Sequence, residues 1–180
     1  MNIETLLSTK ERIKTLSYII YKSDYISVNK TAKDVKLSKG LISKYLDSLA
    51  KEGILKRADG KFLVRNSIQT KAIKILLNLN MFDNNLFKKY RFVRSAGLYG
   101  SLVKGANDEN SDIDLWISVE NAKEENLAKL TADLKRKFGN VKPLYLTKEK
   151  IRLLKKNDAV FHHSLIFGSI VIYGDGIEAV

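Results

Sequence analysis

The stretch SDIDLWISV, residues 111–119, constrains this chain more than any other. It alternates: on a strand, Asp112, Asp114, Trp116 and Ser118 point one way, and Ile113, Leu115, Ile117 and Val119 the other. A carboxylate carried into a buried strand is costly unless it is paired or binds a metal. Two carboxylates side by side on one face are close enough to ligate the same cations. Mg2+ wants oxygen ligands and usually keeps waters and substrate phosphates in its shell, a role that two aspartates with an open face suit. The preceding FVRSAGLYG (92–100) reads as a strand ending at a Gly-Ser turn, and SLVKG (101–105) as one helical turn. Gly100 lets a phosphate approach the backbone closely. The Ser101 hydroxyl and the amides opening the next helix can hold that phosphate.

Charge divides the chain in two. Residues 1–92 carry 19 Lys and Arg against 8 Asp and Glu, whereas residues 93–180 carry 13 against 12. Nearly all of the net +12 therefore sits in the first half, as in a basic module joined to a neutral one. A basic half meets nucleic acid through its phosphates, and a lysine-rich soluble surface is the plain alternative. The absence of cysteine excludes disulfides and thiolate metal sites. No apolar run approaches the length of a membrane span. The N-terminus has no basic start followed by a long apolar stretch, so the expectation is a mature cytoplasmic protein.

In the first half, residues 4–22 show apolar spacing near 3.6, and Leu6, Leu7, Ile13, Leu16, Ile19 and Ile20 share a stripe of one amphipathic helix. A second helix fits NKTAKDVK with Asn29 as N-cap. A third begins after Ser38, packs through Ile42, Tyr45, Leu46 and Leu49, and ends at Gly53. ILKRADGKFLVR then reads as two strands around a turn at Asp59-Gly60. Residues 67–90 read as one helix up to about Asn80 and a short one after Asp83, apolar enough to pack on their neighbours.

Three helices, a short turn between the second and third, and a hairpin resemble a winged helix-turn-helix domain. VNKTAKDVKLSKGLISKYLDSLAKEGILKR carries the resemblance within residues 8–66. The resemblance implies that the third helix presents Lys39, Gly40, Ser43 and Lys44 to a DNA groove, with Lys56, Arg57 and Lys61 on or near the wing. Such placement fits phosphate contact better than base reading. Winged helices also dock proteins, and commonly work as dimers, so a protein partner and a homodimer stay open.

The second half resembles the nucleotidyltransferase superfamily of the polymerase-beta type in its minimal form. The signature there is Gly-Ser, about ten residues, then Asp-x-Asp. This chain has Gly100-Ser101, ten residues, then Asp112-Ile113-Asp114, with Lys104-Gly105 where small members show Arg-Gly. The resemblance spans about residues 86–175. It implies transfer of a nucleoside monophosphate from an NTP, ATP first among them, to a hydroxyl, with two metal ions clamping the attacking and leaving oxygens. Gly100, Ser101 and Lys104 would bind the nucleotide, and Asp112 and Asp114 would ligate Mg2+ as the catalytic pair. Active members place a third carboxylate on a neighbouring strand. The matching strand here, NVKPLYLT (140–147), has neither Asp nor Glu, and Lys142 lies near the expected position. Asp133 before that strand and Glu149 after it are the nearest carboxylates in sequence.

NAKEENLAKLTADLKRKFG (121–139) reads as a helix joining two parallel strands, and a capped helix after Thr147, a further helix and a strand SIVIY close the chain. His162 and His163 are adjacent and face differently on a helix, which makes them poor as a metal pair. Trp116 is either packed or stacked on a base. The expected fold class is α+β: a winged helix-turn-helix over 1–66, a helical connector over 67–90, and over 91–180 a nucleotidyltransferase fold, a small mixed sheet with helices on one side. The acceptor implied is a protein, as in antitoxin-type relatives that modify a partner toxin, an RNA end or a small molecule. The alternative is a non-enzymatic transcriptional regulator or antitoxin-like protein whose transferase fold only binds nucleotide or dimerises.

Overall fold

The computed structural model describes residues 2–83 and 85–177. The chain divides into two compact units. One runs through Leu77 and includes Gly105–Asn110; the other holds Asn78–Lys104 and the chain from Ser111 onward.

The first unit opens with α1 (Ile3–Leu7) and α2 (Lys10–Ile19) where one continuous helix was expected. Thr9 breaks it: its hydroxyl accepts from the Arg12 amide at 3.2 Å and caps a new helix. Residues before and after the break no longer share one stripe, and Ile13 is 38% exposed. Next, α3 (Val28–Val35) starts after Ser27, two residues earlier than an Asn29 cap would place it, and ends with Lys36 at φ 57°. In α4 (Lys39–Lys51) the Ser38 hydroxyl accepts from the Leu41 amide at 3.3 Å. Ile42, Tyr45, Leu46 and Leu49 are buried. Then β1 (Leu55–Ala58) and β2 (Lys61–Val64) pair antiparallel across Asp59-Gly60. Both turn residues have positive φ, the condition for a tight two-residue hairpin.

These elements enclose one apolar cluster, to which α5 (Ile68–Asn80) adds Ile73 and Leu77. The segment Gly105–Asn110 is held within this unit by polar contacts. The Glu109 amide donates to the Tyr21 carbonyl at 2.9 Å, Lys74 Nζ donates to the Asn107 carbonyl at 2.5 Å, and Lys22 pairs with Glu109.

The second unit runs α6 (Asn85–Lys88), β3 (Val93–Leu98), β4 (Ile113–Val119), α7 (Glu124–Phe138), β5 (Val141–Leu146), α8 (Lys148–Asn157), α9 (Ala159–Phe167) and β6 (Ile170–Tyr173). Its sheet has the order β5-β4-β3-β6. The β4–β5 pair is parallel, joined by α7 as expected, and the other pairs are antiparallel, so the sheet is mixed. Pro143 lies on β5, an edge strand that tolerates a missing donor.

Alternation in β4 sets the layers. Ile113, Leu115, Ile117 and Val119 enter a cluster with Leu130 and Leu134 of α7. Trp116 enters another with Leu165, joined by Ile151, Leu154 and Phe161 of α8 and α9. Helices therefore cover both faces, not the single side expected, because Trp116 on the aspartate face also needs an apolar cover. Residues 100–105 form successive turns and not the expected helical turn; Gly100 and Gly105 bound them with positive φ. Among the described residues no helix is long and apolar enough to cross a membrane.

Candidate active site

Asp114 is the second residue of β4, and Asp112 stands just before the strand. Both are half-buried at the open end of the face whose deeper part is filled by Trp116. The Gly100 turn closes against this pair. Gly100 has φ 74°, and a Cβ built on it would overlap Asp114 Oδ2. No other residue type meets both demands without strain, so the backbone passes directly beside the carboxylate. The Tyr99 amide donates to the Asp114 carbonyl at 3.2 Å, which ties the turn to the strand. Ser101 is half-buried in the turn and Lys104 is exposed at its far end. Gly100 thus meets Asp114, Ser101 follows it in the turn, Asp112 lies two residues before Asp114, and Lys104 stands at the far end of the turn.

Burial raises the Asp114 carboxyl above its ordinary value; Asp112 adds to the rise and Lys142 opposes it. Asp112 is engaged differently. Its Oδ1 accepts from Asn140 Nδ2 and its Oδ2 pairs with Lys142 Nζ. The register explains this: Asp114 is opposite Lys142 in the parallel β4–β5 ladder, so Lys142 projects on the aspartate face. The Asp112 carboxylate in turn raises Lys142. Asn140 was not among the residues singled out in the sequence. Its only local signal is its place at the entry to β5.

Neither alternative carboxylate joins the pair. Asp133 bonds the Tyr90 hydroxyl, Lys89 at 3.2 Å and Arg136 at 2.5 Å, on the helix that packs against the other side of the sheet. Glu149 is exposed in the first turn of α8, beyond the opposite end of β5 from Lys142. Among the described residues no group of three or more His, Cys, Asp or Glu is placed to hold a metal ion. The donor set present, two carboxylates beside a glycine turn, fits one hard divalent cation completed by water and phosphate oxygens. The Lys142 ammonium beside Asp112 leaves the two carboxylates a single net negative charge, too little for a pair of such cations.

Trp116 has no exposed surface, so it packs and stacks on nothing. A Cβ on Gly97, its cross-strand neighbour, would overlap the indole ring. His162 is buried and His163 exposed, so the two do face differently.

In the first unit, Lys39, Gly40 and Lys44 are exposed on the opening turns of α4, and Ser43 is half-buried. Lys56 and Arg57 lie on β1 and Lys61 on β2, all exposed. Arg57 pairs with Asp47 of α4 at 2.5 Å and lies over the Phe62 ring, and Lys61 lies over Tyr25.

Comparison with known proteins adds the family. No curated protein matches the chain. A crystal structure from Sulfolobus solfataricus, provisionally described as a nucleotidyltransferase, is 18% identical over 61% of this chain and 87% of that one, with a TM-score of 0.35. The family model for polymerase beta, nucleotidyltransferase matches residues 84–177, more than half of the chain and all of the site just described. On that match, this chain belongs to the polymerase beta nucleotidyltransferase family.

Proposed function

We propose that the second unit binds an NTP, ATP first among them, with Mg2+ and transfers its nucleoside monophosphate to a hydroxyl acceptor. The observation that carries this reading is the closure of the Gly100 turn on Asp114, which leaves backbone and carboxylate together at the open end of β4. Gly100 and Ser101 hold the triphosphate, Lys104 screens its outer charge, and Asp112 and Asp114 hold the cation. When bound, Mg2+ neutralises phosphate charge and orients the scissile bond. The protein's share is positioning and charge neutralisation, which is most of what phosphoryl chemistry needs. The acceptor is a protein, an RNA end or a small molecule bearing a free hydroxyl.

The Asp112–Lys142 pair favours a second reading, in which the unit binds nucleotide without transfer and the protein is a regulator. One experiment separates them. The protein is incubated with alpha-labelled ATP, Mg2+ and extract of its source cells, beside an Asp112→Ala/Asp114→Ala control. Label on one species with wild type alone supports transfer and identifies the acceptor. Retained ATP binding with no label on any species supports the regulator, and loss of neither binding nor label in the control would sink both.

We further propose that the first unit is a winged helix that binds nucleic acid through Lys39, Gly40, Ser43, Lys44, Lys56, Arg57 and Lys61. The exposed cations on α4 and on the hairpin support this. Arg57 contributes less than its position in the sequence suggests, since Asp47 already neutralises it. Binding should weaken steeply with salt, as expected when lysines displace counterions.

A further inference from the structure

Among the described residues of the site, Lys142 carries a charge that the nucleotide reading does not use. Its ammonium pairs with Asp112 on the aspartate face, in register with Asp114. Asn140 takes the other Asp112 oxygen. Two carboxylates with one ammonium between strands leave a single net negative charge, too little to gather two divalent ions. We propose that Lys142 is the built-in cation of this site, balancing the charge of Asp112, so that the wild-type site takes one divalent cation per bound nucleotide. This rests on the nucleotide-binding reading above.

The placement argues for a charge role and against a packing one. Lys142 is on the edge strand β5, with 64% of its side chain exposed, so its stem covers little apolar surface. An exposed ion pair adds little to stability. Its effect is local: it holds Asp112 in place and cancels its charge. A carboxylate at residue 142 would do the reverse, adding a third oxygen ligand to the same face without altering the core.

The test counts bound Mn2+ on the full chain by electron paramagnetic resonance, with and without a saturating ATP analogue that cannot be cleaved between its alpha and beta phosphates. Wild type and Lys142→Arg should bind one Mn2+ per nucleotide. Lys142→Asp should bind two. Titrated with Mn2+ alone, Lys142→Asp should bind at least about tenfold more tightly than wild type, since a nearby positive charge becomes a negative one. Lys142→Met, which keeps the stem and removes the charge, should fall between and covers the case in which the aspartate variant misfolds. Emission of the single Trp116 reports whether each variant keeps its core. Two Mn2+ per nucleotide in wild type would overturn the proposal, as would folded Asp and Met variants that match wild type with Mn2+ alone. If wild type binds no nucleotide at all, the nucleotide reading fails by itself, and the titration with metal alone still decides what Lys142 does.

Discussion

In the first unit the buried polar side chains keep partners and charge stays outside: Thr15 Oγ1 donates to the Glu11 carbonyl at 2.8 Å, and the Ser67 and Thr70 hydroxyls share a hydrogen bond at 3.0 Å. Lys39, Lys44, Lys56 and Lys61 stand on exposed positions, while the Tyr45 hydroxyl, inside the core, donates to the Leu6 carbonyl at 2.7 Å. The second unit carries polarity inward along its central strands. Asp112 and Asp114 open the face that Trp116 and Ser118 continue, and Ser118 lies opposite Ser95. Among the described residues, the buried side-chain polar atoms without a partner are Ser95 Oγ, Ser118 Oγ, Trp116 Nε1 and His162 Nδ1, all in the second unit. Buried groups left unpartnered reduce stability. Among the described residues the first unit leaves no buried side-chain polar atom without a partner.

Five substitutions would sharpen or break that contrast. Trp116→Ala should cost about 3–5 kcal/mol in the second unit, the range for truncating a buried aromatic. Hydrogen exchange should show the protection lost from β3 and β4. A loss spread evenly through the first unit's helices would contradict separate cores. Gly100→Ala should cost roughly 1–2 kcal/mol for its left-handed backbone. It should also abolish nucleotide binding in calorimetry, because the new Cβ overlaps Asp114; intact binding would remove the basis for the triphosphate turn.

Tyr45→Phe should cost about 1 kcal/mol in urea unfolding, the usual net value of one satisfied hydrogen bond. Ser118→Ala should do the opposite and stabilise by up to about 1 kcal/mol, since an unpartnered hydroxyl is removed from the sheet. Equal and same-signed effects at Tyr45 and Ser118 would erase the contrast between the units.

The smallest effect concerns Asp114 and pH. Burial raises its carboxyl in the folded chain, so folding takes up a proton in the window above the unfolded carboxylate's ordinary value. Stability then falls as pH rises through that window, and Asp114→Asn avoids the fall. Melting temperatures should favour the variant at neutral pH and converge with wild type below about pH 4. A variant advantage that grows on acidification would contradict the burial of Asp114.

Local sequence determined a good deal. The period of two in residues 111–119 sorted β4 into its two faces, and the register of 3.6 picked out Ile42, Tyr45, Leu46 and Leu49, because each pattern is read within a few residues. Asp59-Gly60 specified its hairpin and Ser38 its helix start for the same reason. The spacing of Gly100-Ser101 from Asp112 and Asp114 pointed to the site before any contact was known. What tertiary structure alone decided lies between segments distant in sequence. The cover over Trp116 came from α8 and α9, which no periodicity in β4 can announce. The charge state of the site came from Lys142 and Asn140, 28–30 residues beyond Asp112. They reach it only because β4 and β5 run parallel in one particular register, joined across the sheet by α7.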